Sequence, residues 1–329
     1  MKTWNWGILG PGKIAHKMVQ DLQRIPRARL HAVGSRSLER AREFAQAYTI
    51  PHAFGSYEEL AACPDLDVVY IATPHHGHFE NTLMCLGQGV AVLCEKPLGI
   101  NARESQQMIE AARSQQVFLM EAMWTRFLPQ TLHILELIED GAIGDVLAVK
   151  ADFGFAAPVD PDGRLFNLEL GGGALLDIGI YPAFLSLLLL GKPDDIQASA
   201  ILHKMGVDVE NGVVLKYRNG QMAHLHSTLR SLTKTEAFVY GTQATIHIHT
   251  RWHEPSSFTI IREGEAPELH TFTEESHGYL HEAREVMHCL EEGLTESPHL
   301  PLSFSQDLME LLDDIRIHMG LTYPQDREG

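Results

Sequence analysis

Cysteine is scarce and unpatterned: Cys63, Cys85, Cys94 and Cys289 stand alone, with no C-x-x-C pair. That excludes a zinc ribbon or a thioredoxin-type motif and reads as reduced thiols. The N-terminal segment lacks the basic-then-apolar pattern of a secretion signal, so a cytoplasmic protein is expected. Basic charge is short as well, with 26 Lys and Arg against 43 Asp and Glu and a formal charge of -17. A phosphate backbone would be repelled, which removes nucleic acid as a partner. No apolar run is long enough to indicate a membrane partner. The longest, Ala174 to Leu190, is broken by Asp177 and Pro182 and falls short of the roughly 20 residues of a bilayer span. It reads as a buried helix. Low-complexity segments are absent. What remains is ordinary globular composition, 44% hydrophobic and 21% charged over 329 residues, enough chain for two domains.

The N-terminal half alternates strand and helix. Trp4 to Leu9 is an apolar strand, Gly10-Pro11-Gly12-Lys13-Ile14-Ala15 follows, and Ile14, Met18, Leu22 and Ile25 recur at helical spacing. In a G-x-G-x-x-A turn the first glycine makes the bend and the second admits a pyrophosphate. The small third residue then lets helix and strand pack closely. The helix N-terminus, with Lys13 and Ile14, offers its N–H groups to the phosphates. The second strand, Leu30 to Val33, ends in Gly34-Ser35-Arg36, and no acid follows until Glu39. An NAD site would place an acid there for the ribose hydroxyls, whereas Ser35, Arg36 and Arg40 suit a 2'-phosphate, so NADP is favoured and NAD remains open.

A third strand, Leu66 to Thr73, stops at Thr73-Pro74-His75-His76-Gly77-His78. The three histidines lack a carboxylate or Cys at ligand spacing, so no metal is expected. A helix at Phe79 to Leu86 leads to strand Val90 to Cys94, which runs into Glu95-Lys96-Pro97. Central parallel strands deliver ligand-facing residues at their carboxyl ends, and a desolvated Lys is a competent proton handler, so Lys96 is the leading catalytic candidate. Helix Ala102 to Arg113 and strand Val117 to Met120 complete a doubly wound parallel sheet.

Together these residues resemble the Gfo/Idh/MocA oxidoreductase family: Gly10-x-Gly12-x-Ile14-Ala15, Ser35-Arg36, Thr73-Pro74 with His78, and Glu95-Lys96-Pro97. The run from Glu121 to Pro129 is similar to the dimeric dihydrodiol dehydrogenase branch with its D-xylose dehydrogenase relatives. So are Gly171-Gly172-Gly173, Asp177-x-Gly179-x-Tyr181-Pro182 and the closing Leu311 to Pro324. The resemblance implies an α/β protein: a Rossmann domain over 1–122, then an α+β domain over 123–329 built on a large, mostly antiparallel open sheet used for homodimerisation. The local pattern agrees, with strand-like runs at Leu147 to Phe155, Asp195 to His203, Val207 to Tyr217, Gln221 to Thr228, Glu236 to Tyr240, Ala244 to His249 and Ser256 to Ile261. His224 with His226, and His247 with His249, share strand faces and read as a wet face or an interface.

Asp177 and Tyr181, four apart on an apolar helix, share a face and make a polar stripe. They are expected to meet Lys96 around a carbinol oxygen, with Lys96 or Tyr181 as the proton-transfer group. Many sugar-oxidising members of the family carry His where this chain has Tyr181; tyrosine resembles the dihydrodiol branch. Phe153 and Phe155, alternating on one strand face, are candidates for a substrate wall. Trp124 and Phe127 are candidates for the same wall, Arg126 for the nicotinamide side or a substrate oxygen, and Thr73, Pro74, His78, Glu95, Lys96 and Trp124 for further cofactor contacts. The expected activity is hydride exchange between NADP(H) and a secondary alcohol of a cyclic diol or sugar. The alternatives are a nicotinamide-binding regulator without turnover and a redox-assisted glycoside-cleaving enzyme with tightly held cofactor.

Overall fold

The computed structural model describes residues 2–273 and 276–327, which divide into two compact units. The first holds six parallel strands, β1 (Trp4–Leu9), β2 (Ala28–Gly34), β3 (His52–Phe54), β4 (Val68–Ile71), β5 (Ala91–Glu95) and β6 (Leu119–Ala122), in the order β3-β2-β1-β4-β5-β6. Helices α1 (Lys13–Leu22), α2 (Leu38–Tyr48), α3 (Tyr57–Ala61), α4 (His78–Gly87) and α5 (Ala102–Gln115) make the crossovers. Their starts follow local chemistry. Ser37, Ser56 and Asn101 each accept an N–H three residues on, from Arg40, Glu59 and Glu104, and so cap α2, α3 and α5. Leu9, Val69, Ile71, Val92, Cys94 and Leu119 from the strands pack on Leu86, Met108 and Ala112 from α4 and α5. These strands are buried on both faces and therefore read as continuous apolar runs.

The division is not into the two consecutive segments expected, 1–122 and 123–329. Phe127 is the first residue of the second unit, and 275–306 belongs to the first. In that returning segment the helix Tyr279–Glu291 is capped from far upstream. Asp21 of α1, fully buried, accepts the N–H groups of His277 (3.0 Å), Tyr279 (2.8 Å) and Leu280 (3.1 Å).

The second unit contains α6 (Pro129–Glu139), β7 (Val146–Gly154), α7 (Ile180–Leu190) and β8 (Asp195–Leu202), then β9 (Asp208–Lys216), β10 (Met222–Thr228), β11 (Ala237–Gly241), β12 (Thr245–Ile248), β13 (Phe258–Ile261) and β14 (Glu268–His270). The strands form one eight-stranded sheet, β14-β13-β12-β11-β7-β10-β9-β8, antiparallel throughout except for the parallel β7–β10 pair. Alternate residues such as Val149, Ala151, Val213, Leu215, Ala223 and Leu225 are buried, and α7 packs against β7 and β10. From Leu168 to Leu190 the chain is long and apolar enough to pass for a membrane span, but 83% of its most apolar window is buried inside the protein, as a core helix is. The returning helix Tyr279–Glu291 is α8 in chain order, and α9 (Leu302–Met319) closes the sequence of long helices. All four cysteines are buried and free.

Candidate functional site

The first unit presents a dinucleotide cradle. Gly10 ends β1 with φ +90° and donates its N–H to Gly34 O at 3.0 Å; a Cβ there would stand 3.1 Å from Ala72 O in a backbone region that side chains avoid. Gly12 differs, because a Cβ on it would meet only Ala72 O, at 3.8 Å. Its open side is what lets a ligand approach the main chain. Helix α1 then starts at Lys13 and Ile14 with no side-chain cap and no acid in its first turn. Uncapped N–H donors facing the end of a parallel sheet are the donor set that a pyrophosphate requires, so these residues fit a dinucleotide.

At the tip of β2, Ser35 is buried and its Oγ accepts the Ser37 N–H at 3.3 Å. Arg36 and Arg40 are exposed beyond it. Burial pushes the Tyr57 phenol up, while the charges of Arg36 and Arg40 and a hydrogen bond from Arg36 work against that. His76 is held below its ordinary value by burial and then by Arg36. The Arg36 charge thus acts on both Tyr57 and His76, and the acid that opposes it at His76 is Glu80 on α4, not a residue of the β2 tip.

The turn that carries Lys96 is gripped from three elements. His78 on α4 has Nδ1 at 2.7 Å from Pro97 O and Nε2 at 3.0 Å from Thr73 O. Glu121 on β6 accepts the Leu98 N–H at 3.0 Å, and Glu104 on α5 accepts the Ile100 N–H at 2.9 Å. The Lys96–Pro97 peptide is cis. His78 was expected to contact the cofactor directly, but it is fully buried with both nitrogens on carbonyls, so it ties the Thr73-Pro74 loop to the Lys96 turn instead. Burial pushes its imidazole down to about 4, with the Lys96 and His76 charges acting the same way against the two carbonyls. Glu95, also expected at the cofactor, is buried and accepts the Tyr70 hydroxyl. Thr73 is half-buried, its Oγ1 accepting from Asn81 Nδ2 at 3.4 Å. Trp124 stacks flat on Tyr279, with centroids 4.3 Å apart and planes within 4°. Arg126 beside it has Nε and Nη1 buried without a hydrogen-bond acceptor among the described residues. Burial works against its charge and Glu285 works for it.

The second unit gathers Tyr181, Asp177, Phe153 and Phe155. Residues Leu175–Gly179 wind as a π turn before α7, a form that recurs at functional sites and that the expected uniform helix did not include. Gly179 allows it, because a Cβ there would lie 2.8 Å from Ser227 Oγ on β10. The turn is capped by buried Asp208, which accepts the Leu175 N–H at 3.0 Å and Asn211 Nδ2 at 2.8 Å, and burial pushes its carboxyl up to about 6. Tyr323 donates its hydroxyl to Gly172 O at 2.6 Å and fixes the glycine run from the other side. Asp177 is buried and paired with Arg164. Tyr181 lies 5.7 Å from Phe153 and 4.9 Å from His253 by ring centroid, and Phe153 and His253 stack at 4.0 Å. Phe155 is 6.3 Å from Phe153 on the same face.

Sequence reasoning missed His253, Arg164 and Glu121. The Trp252-His253 pair in a loop between strands was a signal for the first; nothing local pointed to Arg164. Among the described residues, no group of three or more His, Cys, Asp or Glu sits where it would hold a metal.

Comparison with known proteins agrees with this geometry. Residues 4–123 match the oxidoreductase family with an NAD-binding Rossmann fold, and 131–247 match the Gfo/Idh/MocA C-terminal domain. Proteins named trans-1,2-dihydrobenzene-1,2-diol dehydrogenase are 41% identical in Mus musculus, over 98% of both chains, and 37% identical in Homo sapiens, again over 98% of both. Among solved structures, an aldose-aldose oxidoreductase from Caulobacter crescentus superposes with a TM-score of 0.88 at 22% identity, covering 96% of this chain and 97% of that one. A 3-ketoreductase from Actinomadura kijaniata in complex with NADP and TDP-benzene gives 0.86 at 24%, covering 97% and 98%. At those identities the likeness is one of fold.

Proposed function

Because the chain belongs to the Gfo/Idh/MocA oxidoreductase family, we propose that it is an NADP(H)-dependent dehydrogenase for a secondary alcohol of a cyclic substrate, a trans-dihydrodiol ahead of an aldopyranose. The observation that carries this reading is the ring cluster of Tyr181, Phe153 and His253. It offers a phenol to a hydroxyl and flat apolar faces to a carbocycle, and the full-length relatives are named for such a diol. The preference for NADP is supported by Arg36 and Arg40 at the β2 tip, where the ribose-binding acid of an NAD site is missing.

When bound, the nicotinamide supplies the hydride acceptor or donor. This chain's residues do the rest. The backbone of Gly10, Gly12 and α1 holds the pyrophosphate, Arg36 and Arg40 hold the adenosine end, and Lys96 and Tyr181 manage the hydroxyl proton. A tyrosine titrates near 10 when unperturbed, so Tyr181 needs cationic help at neutral pH, whereas a lysine needs only desolvation. Asp177, paired with Arg164, accepts from a second substrate hydroxyl. We also propose a cytoplasmic homodimer joined through the second sheet, on which Tyr240, Ile261 and Leu269 are exposed on one face.

The test is the absorbance of reduced nicotinamide with NADP or NAD, across trans-dihydrodiols, pentoses, hexoses and inositols. Faster reduction of NADP than of NAD by a diol is the expected result. Sugar release without net reduction of added NADP would assign the redox-assisted glycosidase. NADP binding without turnover on any substrate would assign the regulator.

A further inference from the structure

Resting on the reading of Lys96 as a proton handler, we propose that Glu121 is a positioning residue whose charge, and not only its shape, sets the protonation of Lys96. Glu121 lies on β6 directly beside the strand that ends in Lys96: Cys94 pairs with Glu121, and Glu95 with Ala122. It is 1% exposed. Its Oε1 accepts the Leu98 N–H at 3.0 Å, two residues beyond Lys96. Its Oε2 is equally buried, and the Ser305 hydroxyl on α9 is the side-chain donor that acts on the carboxyl.

The grip on Leu98 needs one acceptor, which a glutamine would supply without placing a charge in a buried strand. A carboxylate there is costly to ionise, so its presence calls for a function of the charge. The groups facing this centre come from each packed element. Lys96 on the β5 turn favours ionised Glu121, Glu95 on the same strand opposes it, and the Ser305 hydroxyl on α9 favours it. His78 on α4 feels the Lys96 charge, while Tyr70 on β4 and Glu282 on α8 feel that of Glu95. Burial dominates the balance and pushes Glu121 up to about 7. Because Glu121 sits on the strand paired with the one that ends in Lys96, the two charges are coupled, and by reciprocity each proton Glu121 takes makes the Lys96 ammonium easier to deprotonate.

The test is Glu121→Gln, which keeps the acceptor for Leu98 and removes the titrating charge. Lys96 is read directly, by 13C NMR of the reductively methylated full-length protein, its signal assigned by its absence in Lys96→Met. The expected result is a Lys96 titration moved to lower pH by about one unit, the low end of the effect of losing a nearby opposite charge. The corresponding limb of the kcat/KM profile should move with it. Ser305→Ala gives a second, milder perturbation, raising the pH at which the Glu121 step appears. An unchanged Lys96 titration in both variants would overturn the proposal and leave Glu121 as a structural grip on Leu98. Absence of turnover in the wild-type protein would instead refute the dehydrogenase reading, while the NMR titration would still decide the coupling.

Discussion

Arg36→Ala is the substitution that separates cofactor recognition from fold. The guanidinium is exposed, and its charge acts on Tyr57, as that of Arg40 does, and on His76. A charge-assisted hydrogen bond is worth about 1.5–3 kcal/mol, or roughly 10- to 150-fold in binding. Exposure to solvent and salt, with Arg40 still in place, puts the expected loss at the lower end, about 10- to 30-fold in NADP affinity. NAD carries no 2'-phosphate, so its affinity should change less than about threefold, within ordinary mutational scatter. Calorimetric titration of both cofactors at two salt concentrations reads this directly, and the NADP deficit should shrink as salt rises. Equal weakening of NADP and NAD, or no weakening of either, would refute the assignment of Arg36 to the 2'-phosphate.

Two further predictions concern stability. Glu282 is fully buried with neither carboxyl oxygen hydrogen-bonded among the described residues, and burial, then the charges of Glu95 and Asp21, hold it well above the usual carboxylate range. A carboxyl whose folded pKa exceeds its unfolded one favours the fold below the unfolded value, and that stability is lost as pH rises toward the folded one. Between pH 5 and 8 the wild-type Tm should therefore fall more than that of Glu282→Met, which fills a similar volume without the charge; parallel curves would contradict this. Gly173 has φ +123° and a Cβ there would lie 2.3 Å from Asp208 Oδ1, whereas Gly87 at the end of α4 would meet nothing within 4 Å. Gly173→Ala should cost at least about 2 kcal/mol in urea unfolding, while Gly87→Ala should be neutral or stabilising by up to about 1 kcal/mol.

Much of this was legible in the sequence where the signal is local. Strands β7 to β13 fall on the expected runs because alternation of buried and exposed residues is written residue by residue. β3 and β14, three residues each, are too short to show a period. The last strand of the first unit sits at Leu119–Ala122 and not at Val117 to Met120, since the apolar run itself does not mark where pairing with β5 begins. Nor does a five-residue π turn differ enough from a helix in its apolar spacing to be seen beforehand. The glycine turn at Gly10 and Gly12 and the acid-free strand end at Ser35 and Arg36 were readable because each is a backbone or charge feature of a short loop. The return of α8 to the first unit was not, because it depends on Asp21 accepting from N–H groups more than 250 residues away. His253 and Arg164 belong to the same class: their importance comes from Phe153, Tyr181 and Asp177, which the chain supplies from other strands and turns.

The account stands most directly on the rate of NADP reduction by the best alcohol substrate in Lys96→Met and Tyr181→Phe, measured alongside NADP affinity. Loss of a general acid-base group predicts a fall in kcat of about 10² to 10⁴ in each, with NADP binding held within about threefold. Near-wild-type turnover in both variants would contradict the assignment of proton transfer to these two side chains.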